Sequence, residues 1–148
     1  LEEMLQLPGS ILMLELKDED NPVKLAHQVL RLVAKNNRLA DLAIASFSYK
    51  ILSEVHKTYP DIPLIGLADT IGDFMQLTQL PLAVIAVNVD IAQKVYVKIG
   101  RKICGFRPSF WVWTVRDEKT LKKVMKLNVD GIITDIPSKI IKLLNTNS

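Results

Sequence analysis

Apolar residues along the chain fall into six short runs, each closed by polar or turn-forming residues. The runs are rich in leucine, isoleucine and valine, which is typical of strands that are covered on both faces. The six predicted strands are residues 11–17 (ILMLELK), 42–46 (LAIAS), 62–67 (IPLIGL), 82–87 (LAVIAV), 110–115 (FWVWTV) and 131–134 (GIIT). The pattern therefore predicts a largely buried sheet.

Amphipathic stretches separate these runs. In residues 22–36, Ala26, Leu30 and Val33 repeat at helical spacing behind a proline that suits a first helical turn. Further helices are predicted at residues 1–7, 48–59, 90–102, 117–127 and 137–144, with a weaker element between 69 and 79. Asp117 is predicted to cap the helix that follows it, and Asn128 to end that helix in a left-handed conformation.

A strand followed by a helix, repeated along the chain, predicts parallel strands joined by right-handed crossovers. Two architectures accept six such units: an open doubly wound sheet and an incomplete (β/α)₈ barrel. Periodicity alone does not separate them. No linker, low-complexity tract or charge block divides the chain, so residues 1–148 are predicted to form a single α/β domain.

Composition and charge narrow the function classes. Apolar residues make up 49% and charged residues 24% of the chain, which excludes an intrinsically disordered protein. The net charge of +3 comes from scattered residues, densest at Lys122 and Lys123, Arg101 and Lys102, and Lys139 and Lys142. Because these lie at helical positions without interleaved aromatics, they predict solvated helix faces and no nucleic-acid site. A single cysteine, Cys104, excludes an intrachain disulfide.

Charged residues stand at the end of the first predicted strand, where parallel α/β folds build their active sites. Glu15 and Lys17 are two positions apart and so face the same way, with Leu14 and Leu16 facing the other. A carboxylate there can bind Mg²⁺ or Ca²⁺, and a lysine can neutralise a phosphate oxygen. A strand-end ion pair or an outward register is the alternative. Residues 18–20 (DED) form either a solvated acidic loop or a source of further ligands.

Two tryptophans and two histidines are the other candidates. Trp111 and Trp113 share one face of the fifth predicted strand and either wall a substrate pocket or fill the core. His27 and His56 lie within predicted helices, far from any strand end, so neither is expected to act as a general acid or base. No serine has a histidine partner in reach, and no Walker loop, dinucleotide fingerprint or zinc-type spacing is present.

Three segments resemble the glycerophosphodiester phosphodiesterase family. ILMLELK resembles the family's strand with a metal-binding glutamate and a lysine two residues later. ASFSYKILSEVHKTYPDIPLIGL resembles its serine-phenylalanine strand end, the next helix and a PDIP strand entry. FWVWTVRDEKTLKKVMKLNVDGIITDIP resembles its closing signature, although Arg116 and Asn128 depart from the usual asparagine and glycine. The resemblance spans nearly the whole chain and is weakest over residues 69–102.

The resemblance implies a partial (β/α)₈ barrel, with this chain matching the third to eighth units. It implies metal-dependent hydrolysis of a glycerophosphodiester to sn-glycerol 3-phosphate and an alcohol, with one divalent cation (Mg²⁺ or Ca²⁺). Glu15 would be a metal ligand, Lys17 a phosphate contact, and Trp111 and Trp113 the pocket wall. The family's histidines and second-strand acidic pair have no counterpart here, so catalytic residues are expected upstream of Leu1 and this chain alone is expected to be inactive.

Partners follow from the same reasoning. The implied ligand is a small-molecule phosphodiester, and any membrane anchor is expected outside this chain. A six-unit barrel exposes strand edges and apolar surface, so an oligomer, strand exchange between copies or closure by a partner segment is expected. Two alternatives stay open: a non-catalytic truncated barrel that serves as a binding or assembly module, and an unrelated open α/β binding domain.

Overall fold

The computed structural model describes residues 1–6, 9, 11–18, 21–92 and 108–146. Strands and helices alternate through these ranges. In chain order they are α1 (Glu2–Leu5), β1 (Leu12–Glu15), α2 (Pro22–Lys35), a 3₁₀ helix (Leu39–Asp41), β2 (Leu42–Ser46), α3 (Tyr49–Thr58), β3 (Leu64–Ala68), α4 (Ile71–Leu77), β4 (Val84–Asn88), β5 (Ser109–Trp113), α5 (Glu118–Met125), β6 (Gly131–Ile132) and α6 (Pro137–Thr146). Most of the helix predicted at residues 90–102 lies outside the described residues.

The chain divides into two compact units, Leu1–Gly66 and Leu67–Ser148. In the first unit, β1 pairs with β2 and β2 with β3, both in parallel. Helices α2 and α3 pack against each other, and α3 packs against β2. The core between them is apolar, and its fully buried members include Leu30, Val33, Ile44, Ile51, Leu52 and Val55. The alternation of strand and helix thus gives parallel pairing, as predicted.

The second unit repeats this arrangement with β4 paired to β5 and β5 to β6, again in parallel. Its core includes the rings of Phe74 from α4 and Phe110 from β5, whose centroids lie 6.4 Å apart at a tilted angle of 46°. Both rings are at most 2% exposed. Among the described residues, no helix combines the length and the apolar character needed to cross a bilayer.

Helix ends follow the sequence closely. Asn21 accepts a hydrogen bond from the Lys24 N–H at the start of α2. The side chain of Asp117 accepts one from the Thr120 N–H at the start of α5, which confirms its predicted capping role. Asn128 has a φ of 56°, so the predicted left-handed residue after α5 is also confirmed.

Candidate functional site

The carboxyl end of β1 carries the two charged candidates of the first unit. Leu12 and Leu16 are each 5% exposed, whereas Glu15 and Lys17 are exposed, so the two charged side chains share the opposite face. The predicted common face is therefore confirmed. No ion pair joins Glu15 to Lys17 among the described residues, which removes the support for a simple strand-end ion pair. Their roles toward a metal and a phosphate stay predictions.

A hydrogen-bonded serine pair holds this strand end in place. The hydroxyl of Ser46, which is fully buried, donates to the Leu16 carbonyl at 2.6 Å and accepts from the Ser48 N–H at 3.1 Å. The Leu16 N–H in turn donates to the Ala45 carbonyl at 2.8 Å, which extends the β1–β2 ladder beyond Glu15. Leu16 lies between Glu15 and Lys17, so fixing its backbone fixes the direction of both side chains.

Asp18 belongs to the same network. Its Oδ2 accepts a hydrogen bond of 2.9 Å from the hydroxyl of Ser48, which is 7% exposed. The sequence pattern did not predict this positioning role of the two serines. The available signal was their placement: Ser46 ends β2, and parallel neighbours bring that end beside the end of β1. Residues 19 and 20 lie outside the described part of the chain.

The histidines lie on helices, as expected. His27 in α2 and Glu54 in α3 approach each other at 3.2 Å between Nε2 and Oε1, a contact between the two helices. His56 also lies within α3. Within the described residues, no three side chains of His, Cys, Asp or Glu come close enough to hold a metal ion.

Trp111 and Trp113 project from one face of β5 in the second unit. Both are half-buried, and Val112 between them is fully buried, which confirms the predicted shared face. The Nε1–H of Trp113 donates to the Ala86 carbonyl on β4 at 3.1 Å. This bond orients the indole of Trp113 across the neighbouring strand.

Small residues on both neighbouring strands make room for Trp111. Its register partners are Ala86 on β4 and Gly131 on β6. A Cβ atom added at Gly131 would lie only 2.7 Å from Cδ1 and Nε1 of the Trp111 indole. The indole therefore lies directly over Gly131. Glycine is required there because any side chain would collide with the indole.

Two further polar residues of the second unit, Asn88 and Asp69, lie at strand ends and were not among the predicted site residues. Asn88, the last residue of β4 and the register partner of Trp113, donates from Nδ2 to Oδ1 of Asp69 at 2.6 Å. Asp69 directly follows β3. The positional rule that selected Glu15 would also have selected these two residues, because each comes at the end of a predicted apolar run.

An exposed ion pair lies after β5 and β6. Nε of Arg116 donates to Oδ2 of Asp135 at 2.7 Å. This hydrogen bond holds the pKa of the Asp135 carboxyl below its ordinary value. Arg116 stands where the glycerophosphodiester phosphodiesterase pattern usually has asparagine. In this chain the arginine side chain pairs with Asp135, which follows the next strand.

Comparison of the backbone with solved structures identifies the fold class. A provisionally assigned glycerophosphoryl diester phosphodiesterase from Silicibacter pomeroyi DSS-3 matches with a TM-score of 0.85 and 20% identity, covering 99% of this chain and 56% of that one. An Oleispira antarctica phosphodiesterase, solved in complex with the product sn-glycerol-3-phosphate, matches with a TM-score of 0.75 and 18% identity, covering 90% of this chain and 55% of that one. The predicted partial (β/α)₈ barrel is confirmed.

Sequence comparison points to the same group of proteins. The Bacillus subtilis (strain 168) protein YhdW, provisionally assigned as a glycerophosphodiester phosphodiesterase, is 25% identical over 135 residues, which are 88% of this chain and 55% of YhdW. No family model matches the chain. The predicted resemblance to glycerophosphodiester phosphodiesterases is supported by both comparisons, and the chain spans about half the length of the curated relative that it matches.

Proposed function

We propose that this chain supplies part of the active site of a glycerophosphodiester phosphodiesterase, which hydrolyses a glycerophosphodiester to sn-glycerol 3-phosphate and an alcohol. The observation that carries the proposal is the pair of exposed charged side chains, Glu15 and Lys17, on one face at the carboxyl end of β1. The similarity to YhdW and the product bound to the Oleispira antarctica enzyme support the choice of substrate.

The donor chemistry of Glu15 fits a hard divalent cation. Carboxylate oxygens are the ligands that Mg²⁺ and Ca²⁺ prefer, and the Glu15 side chain is exposed. Because the described residues contain no group of three possible ligands, Glu15 would supply one ligand and the others would come from outside them. A bound Mg²⁺ or Ca²⁺ would offset negative charge on the phosphoryl oxygens.

The other proposed roles are to bind the phosphoryl group and to form the wall of the substrate pocket. Lys17, which follows the hydrogen-bonded backbone of Leu16, would contact a phosphoryl oxygen as a point charge. The half-buried indoles of Trp111 and Trp113 would form an apolar wall for the substrate. Proton transfer is assigned to none of these side chains.

A chimera tests this proposal. The part of YhdW that lies outside its matched segment would be joined to this chain. Release of sn-glycerol 3-phosphate from glycerophosphocholine would then be followed with and without Mg²⁺ or Ca²⁺. We expect cation-dependent hydrolysis by the chimera and none by the 148-residue chain alone. Glu15→Gln in the chimera should lower the rate by at least about 100-fold, in line with the loss of a metal ligand or its close supports.

Glu2→Gln, a change of the same kind on the exposed start of α1, is the matched control and should leave the rate unchanged. Hydrolysis by the 148-residue chain alone would contradict the expected inactivity. A folded chimera in which Glu15→Gln keeps full activity would contradict the metal role of Glu15.

A second candidate is a non-catalytic module for binding or assembly. It is favoured by one observation: the described residues hold no group of three side chains that could bind a metal ion. The chimera separates the two functions. A chimera that folds, binds sn-glycerol 3-phosphate and never hydrolyses the diester would support the non-catalytic module.

A further inference from the structure

A basic groove lies on the second unit, beside helices α5 and α6. It has a volume of about 830 Å³ and is open to solvent. The cationic part of its lining consists of Lys119, Lys122, Lys123, Lys126 and Lys139, and Leu143 is its one apolar residue. Lys139 comes from α6 and the other four lysines from α5 or the residue that follows it. Folding therefore brings together lysines that are separate in sequence.

The lysines cover the outward face of α5. Leu121 and Val124, at 2% and 1% exposed, bury the opposite face in the core. Lys119, Lys122 or Lys123, and Lys126 follow one another at spacings of three and four residues, so they form a single stripe one helical turn apart. All of them are exposed.

Two carboxylates share the groove, and both are engaged locally. Asp117 accepts hydrogen bonds from the N–H and the hydroxyl of Thr120 at the start of α5. Glu118 pairs with Lys122 at 2.6 Å, and that hydrogen bond holds the pKa of the Glu118 carboxyl below its ordinary value. Five lysines against two carboxylates leave the lining with an excess of three positive charges.

The composition of the lining favours one of three classes of anionic partner, which are acidic proteins, nucleic acids and lipid head groups. Protein interfaces are enriched in Tyr, Trp and Arg and depleted in Lys, and single-stranded nucleic-acid sites combine Lys and Arg with aromatic side chains on which bases stack. The described lining has neither arginine nor an aromatic residue. Flexible lysine ammonium groups instead suit the diffuse negative charge of lipid head groups. Met125, 59% exposed on the same helix, adds an apolar side chain beside the stripe.

We propose that the groove and the outward face of α5 form a docking surface for a bilayer that contains anionic phospholipids. None of the residues that line the groove is among those assigned to the phosphodiesterase site, so the two proposals stand or fall separately. The interaction is electrostatic and must weaken as the ionic strength rises.

Co-sedimentation with lipid vesicles tests the proposal. The chain should bind vesicles of phosphatidylglycerol and phosphatidylcholine at low salt, release them at high salt, and ignore pure phosphatidylcholine. The triple variant Lys119→Glu, Lys123→Glu, Lys126→Glu should partition at least about tenfold more weakly, since each lysine near an anionic surface contributes substantially to binding. Lys→Gln at the same three positions should give an intermediate loss.

The matched control replaces Lys24, Lys35 and Lys57 with glutamate, three exposed lysines on α2 and α3 that change the net charge equally. It should retain most of the binding, and circular dichroism should show that all variants are folded. Equal losses in both triple variants, no binding of the chain to anionic vesicles, or binding to heparin or an acidic protein without binding to vesicles would each overturn the proposal.

Discussion

Ser46 shows how one buried hydroxyl can position a functional strand end. Its Oγ joins the Leu16 carbonyl and the Ser48 N–H, so Ser46→Ala would leave both buried groups short of a partner. We expect a loss of about 1 to 3 kcal/mol in the free energy of unfolding, measured by urea denaturation. Ser53→Ala in α3 is the control, since its hydroxyl takes part in none of the hydrogen bonds found among the described residues. Equal midpoints for the two variants would show that the network does not stabilise the strand end.

Gly131 is constrained by the indole above it. The methyl group of Gly131→Ala would meet Trp111 at 2.7 Å, so either the indole or the strand must move. We expect a destabilisation of about 1 to 3 kcal/mol, as for overpacking elsewhere, and altered tryptophan fluorescence. At Gly72, in α4, the nearest atom to an added Cβ is 3.6 Å away, and Gly72→Ala should stabilise by about 0.5 to 1 kcal/mol. Unchanged stability and emission for Gly131→Ala would place the indole elsewhere.

At the residue scale, the sequence predicted the strand face on which a side chain lies but not its hydrogen-bond partners. A period of two fixed the common face of Glu15 and Lys17, because every strand residue alternates sides. The hydrogen bonds that position site residues join positions 30 apart for Ser46 and Leu16 and 19 apart for Asn88 and Asp69. Such contacts depend on the register between strands, which a local pattern does not report.

At the element scale, capping by Asp117 makes the stability of α5 depend on pH. Hydrogen bonds from the Thr120 N–H and hydroxyl lower the pKa of Asp117 below its ordinary value of 3.8. A lowered pKa in the folded state means that the stabilisation is complete above the unfolded pKa and is lost as the pH falls through the folded one. We therefore expect Asp117→Ala to be destabilising at pH 6, with the difference from the unaltered chain shrinking below about pH 4. Urea midpoints across this range measure it, and a difference that does not depend on pH would rule out the charged cap.

Strand boundaries show where local pattern and tertiary structure diverge. Residues 62–67 were predicted as one strand, yet β3 begins at Leu64. Ile62 is buried like a strand residue, but its N–H donates to the Tyr59 carbonyl in a turn, and Pro63 has no N–H to give to a ladder. Burial and backbone pairing are separate properties, and apolar composition reports only the first.

At the scale of the whole molecule, the sequence left a barrel and an open sheet undecided. Strand and helix alternate in both, and the difference lies in strand tilt and stagger, which accumulate over the entire sheet. The likeness to solved phosphodiesterases decided between them. The family resemblance was visible in the sequence because of the ELK and WTV segments. Each segment combines the alternation of a strand with chemically distinctive side chains at the strand end.

Exposed apolar residues near the edge of the first unit predict self-association of the chain. Among the described residues β1 pairs on one side only, with β2, while Ile11 and Met13 are 83% and 44% exposed. An unpaired edge with apolar side chains recruits further strands, and a lysine there blocks such pairing. Sedimentation velocity should therefore show dimers or larger species that increase with concentration, and Met13→Lys should shift the distribution toward monomer. Met75→Lys changes a similarly exposed methionine, 49%, on α4 and should leave the distribution unchanged. A single monomeric species at every concentration would mean that this edge is already covered.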